Sequence, residues 1–229
     1  ADVGDAVLPG QIILELENKE FLADLAEAEA SLEGAQAGLD ELNHGTRPEE
    51  IRIKQTKLDI ANQNLANGYG TVPDALNDAY TKADDAVRNQ LDGFFTGDET
   101  SNPQLSFPTA NSQIQRDTET GRAIASAELD IWKNELGNLA EFSSQTFLDH
   151  ALTSGKTHLA KIQTFLDKAT DAMNGAVGLL TQSAFTAHKT SLTAARNQVN
   201  AALTSATNQE QSIASYTIAV RQLTDELNL

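Results

Sequence analysis

Histidine and carboxylate side chains are where chemistry would begin in this sequence. The four histidines, His44, His150, His158 and His188, are scattered along the chain. His150 and His158 stand eight residues apart, so on one helix they would share a face two turns from each other. That is too far for one metal ion without a third element, and no H-E-x-x-H pattern occurs. The histidines therefore read as surface or partly packed side chains. Asp84-Asp85 with Arg88 has the spacing of a helix salt-bridge ladder more than of an acid/base pair. Glu119, Arg122 and Glu128 with Trp132 could line a ligand pocket inside a helical bundle; the competing reading is a core Trp among solvated charges. Gly68-Tyr69-Gly70 lacks both the lysine and the preceding strand of a phosphate loop, and no nucleophile elbow is present. The residues thus offer no catalytic, metal or cofactor constellation, and the expectation is a non-enzymatic protein.

Composition narrows the class further. With 229 residues the chain is long enough for one or two domains, and 40% hydrophobic content permits a core. Aromatics are only 5%, so that core must be mostly aliphatic and alanine. A net charge of -17 and a pI near 4.4 argue against a nucleic-acid or anionic-membrane surface, which needs clustered Lys and Arg. The absence of cysteine excludes disulfides and thiolate chemistry, and suits an extracytoplasmic bacterial protein as well as many cytosolic ones. No run of about 18 apolar residues and no signal-peptide pattern occurs. The chain opens at Ala1 inside what reads as a strand motif, and the expectation is a natural protein that is longer at both ends.

The elements that would position these residues are helices. From Phe21 the apolar positions Phe21, Leu25, Ala28, Leu32, Ala35, Leu39 and Leu42 step alternately by four and three, a heptad seam. The stretch from Asn43 to Glu50 interrupts it: Gly45 suits a helix C-terminus, Thr46 can cap, and Pro48 with Glu49 and Glu50 suits a new first turn. A second seam runs through Ile51, Lys54, Leu58, Ala61 and Leu65, with Lys54 its one polar intruder. Ile213, Tyr216, Val220, Leu223 and Leu227 repeat the spacing at the far end of the chain. Heptad segments separated by a long insertion pair most simply as antiparallel arms of a coiled-coil hairpin, residues around 51 to 66 facing residues around 211 to 229.

The insertion has a different texture. Pro73 with Asp74 starts a helix reaching roughly Phe95, and GDETSNPQLSFP, residues 97 to 108, is the most loop-like stretch. Further helices are predicted from about Thr109 to Ala140, from about Ser143 to Asn174, and from near Thr181 unbroken into the terminal arm. An up-down four-helix bundle is the economical arrangement, since antiparallel neighbours need only short links.

The first residues, GDAVLPGQIILELE from Gly4, place turns at Gly4-Asp5 and Pro9-Gly10 with strand-like residues after each. So small a meander cannot bury a core alone. Gly4, Asp5, Val7, Gly10 and Gln11, with Ile13 in the Leu position and Val3 directly before Gly4, follow the V-x-x-G-D-x-V-x-x-G-Q-x-L pattern of the periplasmic adaptor proteins, the HlyD-type membrane fusion proteins, with Ala1 in the place of its first Val, and the chain resembles that family. In it the pattern forms the first half of a biotinyl/lipoyl-like β-sandwich, from which the chain leaves through a helical hairpin. KEFLADLAEAEASLEGAQAGLDEL looks like the outgoing arm, and the break Gly45, Thr46, Arg47, Pro48 and Glu49 is similar to one in hairpins of some branches. The match covers residues 1 to 66 and, more loosely, 206 to 229. The chain departs from the family in carrying no second lipoyl half-motif and in the insertion from about Gly68 to Thr207. True lipoyl carriers present a lysine at the turn between the halves, and no lysine lies in residues 1 to 18.

The expected architecture is mainly all-α: a half lipoyl-like β motif at 1–17, an outgoing arm at 18–67 with its break at 43–50, an inserted four-helix bundle at 68–207, and a returning arm at 208–229. The resemblance implies a structural adaptor of an export system, extracytoplasmic, attached to the cytoplasmic membrane by an anchor outside this sequence, and homo-oligomeric. It would bridge a membrane transporter to an outer component or the cell wall, with the inserted bundle as recognition element. A second hypothesis is a ligand-sensing extracytoplasmic bundle that signals along its helices, with a polar, partly empty pocket near Arg122 and Trp132.

Overall fold

In the computed structural model the heptad run forms helix α1 (Lys19–His44). The structure describes residues 3–12, 14, 15, 17–45, 48–97, 100–139 and 144–228, with only the backbone of 43 and 44. Among the described residues the chain is mainly helical and divides into two compact units, residues 1–53 and 54–229. No described helix is long and apolar enough to cross a membrane.

In the first unit, α1 ends at Gly45, whose φ of +63° is the left-handed conformation that glycine adopts without penalty, and whose N–H returns to the Leu42 carbonyl. Pro48 opens α2 (Pro48–Gly70), with Glu49 and Glu50 in its first turn. The helix break thus stands where the sequence places it; Thr46 and Arg47 lie outside the described residues. The seam of α1 is exposed: Phe21 and Leu42 keep 75% and 81% of their surface, and Leu25, Leu32 and Leu39 are also exposed.

The lipoyl-like motif needs correction. Pro9 and Gly10 form a turn in which the Gln11 N–H reaches the Leu8 carbonyl and the Gln11 side chain accepts from the Leu8 N–H. Gly10 has a φ of +92°, as position i+2 of a type II turn requires. Val3, Gly4, Asp5 and Val7 precede it, yet none of the described residues before α1 is in a strand. Among the described residues the half-motif keeps its turn and forms no strand, because strands need neighbours to pair with and a face to bury. The β-structure observed lies elsewhere, between β1 (Phe95–Thr96) and β2 (Gln104–Leu105), antiparallel with Phe95 opposite Leu105.

The second unit packs α3 (Val72–Asp84), α4 (Ser112–Gly137), α5 (Gln145–Gly175) and α6 (Gln182–Leu227) around shared apolar side chains. Caps fix where three of them start: Asn111, Ser144 and Thr181 each accept a backbone N–H of the first turn. The predicted first helix of the insertion is not one α-helix to Phe95. It widens into a π-helical turn at Asp85–Gln90 and then a short 3₁₀ turn at Asp92–Phe94. The buried positions Ala79, Ala83, Val87 and Leu91 step by four, which drifts about 40° per step around an α-helix. A wider turn absorbs that drift and keeps all of them inside. Asp85 anchors the turn by accepting from Asn89, Gln90 and, on α6, Gln198; these bonds hold its carboxyl below its ordinary value.

Two antiparallel stretches meet where α2 approaches the end of α6. Gly68 admits the Tyr216 ring, the Gln209 amide donates to the Gly68 carbonyl at 2.6 Å, and Lys54, the polar intruder of the seam, donates to the Glu226 carbonyl at 2.7 Å. Leu65, Tyr69 and Ile213 are buried there with Leu76 and Leu152.

The loop-like stretch is only partly a loop. Phe94, Phe95 and Phe107 are buried, and His188 of α6 packs against the Phe94 and Phe107 rings with centroids 5.0 and 5.1 Å away. Burial among these rings lowers the His188 pKa, so its neutral form is the folded-state form. A depressed histidine pKa contributes stability that is present above the unfolded value near 6.5 and is lost as pH falls through the folded value. His188→Phe is therefore expected to flatten the acid limb of the stability curve below about pH 6.5, read by urea unfolding at a series of pH values; an unchanged acid limb would contradict this account.

Candidate functional site

The polar residues with the densest mutual contacts sit between α4 and α5, around His158. On α4, Glu128 and Glu135 are seven residues apart and so on one face. On α5, Ser154, His158 and Lys161 follow at spacings of four and three and face them. His158 Nδ1 lies 2.6 Å from Glu128 Oε1, and its Nε2 lies 2.9 Å from Glu135 Oε2. Lys161 donates to Glu128 at 2.7 Å and Ser154 to Glu135 at 2.7 Å. The imidazole stacks on the Trp132 indole, centroids 5.3 Å apart and planes at 18°, while Tyr80 meets the indole edge-on at 5.6 Å.

Two opposing effects set the charge of these carboxyls. Burial pushes Glu128 up, but hydrogen bonds from Lys161 and His158 and the attraction of both outweigh it and hold the group below its ordinary value. Glu135 is pushed up by burial and brought lower by hydrogen bonds from His158 and Ser154 and by attraction to His158. Both carboxylates accept, from Lys161 and from Ser154, and each ring nitrogen of His158 lies within hydrogen-bond distance of one of them.

Ser154 Oγ is 3.1 Å from His158 Nε2, and with Glu128 on Nδ1 the distances match those of nucleophile, base and orienting carboxylate. Glu135 adds a further contact: its Oε2 lies 2.9 Å from the same Nε2 and accepts the Ser154 hydroxyl. Ser154 also lies within α5, where the backbone N–H groups are spent on the helix and none is free to hold an oxyanion. Among the described residues no group of three or more His, Asp or Glu is placed to hold a metal ion.

Next to this cluster a cavity of about 270 Å³ opens between α3, α4 and α5. Leu76, Trp132, Leu139 and Phe147 form its apolar walls, and Glu135 and Ser154 reach it from the cluster. Gly155 fits the α3–α5 contact because a Cβ there would stand 2.7 Å from Leu76 Cδ2.

The pocket expected from Arg122 and Trp132 together is not formed. Both are 1% exposed, but Arg122 lies over the Phe95 ring, its guanidinium carbon 5.9 Å from the centroid, and donates to Ser126; it does not line the cavity that Trp132 closes. Glu119 is likewise elsewhere, accepting the Leu105 N–H and the Gln115 amide where β2 meets α4. Of the Asp84-Asp85-Arg88 group, Arg88 bridges Asp84 at 3.3 Å and Asp130 at 2.7 Å, a ladder with an added inter-helix rung, while Asp85 takes only amides. His150 is exposed at the cavity and His158 is buried. Glu135, Ser154 and Lys161 were not legible as site residues; their i, i+4 and i, i+7 spacings gave the faces, and nothing in them says that the two faces meet.

The fold and the cluster define a mainly helical protein with a bundle-like core and a buried histidine held between two carboxylates. Comparison with protein families, curated proteins and solved structures finds no match for the chain.

Proposed function

We propose that this chain is a non-enzymatic structural adaptor segment of a bacterial export system. Two helical stretches act as the arms of a coiled-coil hairpin, and the helices between them form an inserted four-helix bundle that serves as recognition element. The observation that carries the reading is the seam of α1: Phe21, Leu25, Leu32, Leu39 and Leu42 repeat at heptad spacing and are exposed. Such a seam is stable in water only when another helix covers it. The antiparallel contacts of Lys54 with Glu226 and Gly68 with Tyr216 support pairing of the shorter arms. The role is geometric, since a helix extends about 1.5 Å per residue and a stiff pair carries a binding surface away from its base. The partners are a cytoplasmic-membrane transporter and an outer component or cell-wall element, the full-length protein being a homo-oligomer at the extracytoplasmic face. The net charge of -17 favours a basic partner surface.

Photo-crosslinking residues placed at Leu25, Leu32 and Leu39, and separately at Ala30 and Ala37 on the opposite face of the helix, test the reading in the native host. Adducts confined to seam positions and containing a second helical arm or an export-pump component are expected. Equal adducts at both sets, or seam adducts made only with cytosolic proteins, would remove the adaptor assignment.

A further inference from the structure

We propose that the cavity between α3, α4 and α5 binds a small organic cation with an apolar body, an aromatic or alkylated ammonium. The inference stands apart from the adaptor reading and rests on three features of the cavity. Its volume of about 270 Å³ is close to the lower end of small-molecule pockets, about 300–1,000 Å³, which fits a single-ring molecule and excludes a large one. Its walls of Leu76, Leu136 and Leu139, closed by Trp132, offer an apolar body its complement, and the partly exposed Phe147 ring offers an ammonium an aromatic surface. Among the described residues neither Lys nor Arg lines it, and Glu135 brings a carboxylate to its edge.

The Glu135 carboxylate is prepared for this task by its neighbours. Oε2 is engaged by His158 at 2.9 Å and Ser154 at 2.7 Å, which fix the group's orientation and favour its ionised form. Oε1 makes no hydrogen bond among the described residues and the side chain is 46% exposed, so a cation entering from solvent can reach it. The protein's net charge of -17 raises the local concentration of cations and opposes anions. An anionic ligand would meet Glu135 as a like charge.

Trp132, the single tryptophan of the chain, reports on the cavity directly. Titrating the full chain with benzyltrimethylammonium, benzyl alcohol and benzoate, with selective excitation of Trp132, tests the proposal. A saturable change is expected with the cation, at least about tenfold weaker binding of the uncharged alcohol, and none with benzoate. Glu135→Gln is expected to weaken the cation about tenfold or more, and Ala151→Phe, which fills the cavity from α5, to abolish the response with the helical circular dichroism retained. The proposal is overturned by no saturable response to the cation, by equal affinity for the alcohol, or by binding that survives in Ala151→Phe. The comparison between cation and alcohol uses the unaltered chain, so the test holds even if Glu135→Gln disturbs the His158 cluster.

Discussion

Replacing His158 by alanine is expected to lower the unfolding free energy by about 3–5 kcal/mol, because it breaks a buried charge network from its centre. Glu128 is 7% exposed at its side chain and would keep only Lys161, which is half in water. The imidazole also covers the Trp132 indole, so its loss opens a gap beneath the largest buried side chain. The denaturant midpoint should fall with an unchanged slope. Removing both partners is a different experiment. In E128L/H158L no carboxylate is left unpaired at this point, and most of the lost stability should return, since an apolar pair can replace a buried ionic one. A double variant as weak as His158→Ala would show that the cluster holds α4 to α5 by something other than the avoided burial of a lone charge.

The same variant predicts a pH signature. Glu128 and Glu135 both have folded pKa values below their ordinary 4.5. Depressed carboxyl values contribute stability that is fully present above the unfolded value and is lost as pH falls through the folded one. The stability of the native chain should therefore decline as pH drops below about 4.5, and His158→Ala, lacking one cause of both shifts, should decline less steeply there. Parallel acid limbs for the two proteins would contradict the part of His158 in lowering both carboxyls.

Trp132→Ala is expected to cost about 3–5 kcal/mol, toward the upper end for such truncations. The indole is 1% exposed, stacks on His158, meets Tyr80 edge-on and closes the floor of the 270 Å³ cavity. Its removal would join the new space to the existing one, so the surroundings cannot collapse to fill it. Urea unfolding followed by circular dichroism gives the value without the lost fluorophore. Because Trp132 and His158 touch, W132A/H158A should deviate from additivity by about 0.5–3 kcal/mol; strict additivity would mean that the stack carries no energy of its own.

Several elements were legible from local chemistry. Gly45 ends α1, Pro48 with two glutamates opens α2, and Thr181 caps a helix that continues unbroken to Leu227. These signals act within one turn of the chain, through backbone groups that each helix end must satisfy, and the sequence alone determines them. Heptad spacing similarly determines which face of α1 is apolar.

What lies between elements was decided only by the tertiary structure. The spacing of Glu128 and Glu135 fixes their common face on α4, and that of Ser154, His158 and Lys161 fixes theirs on α5, but only packing makes one face the counter-charge of the other. The same is true of Arg122, whose residue type suggests a ligand-binding cation and whose position over Phe95 makes it part of the core. Phe94, Phe95 and Phe107 border a stretch rich in Gly, Ser, Asn and Pro that reads as loop, and become core because α6 supplies His188 to cover them. The N-terminal motif shows the converse: its turn at Pro9-Gly10 forms from neighbouring residues alone, whereas its strands depend on a partner that the described residues do not provide. Local rules fix where helices and turns begin and end; burial of a charge or pairing of a strand depends on a distant residue, which periodicity does not encode.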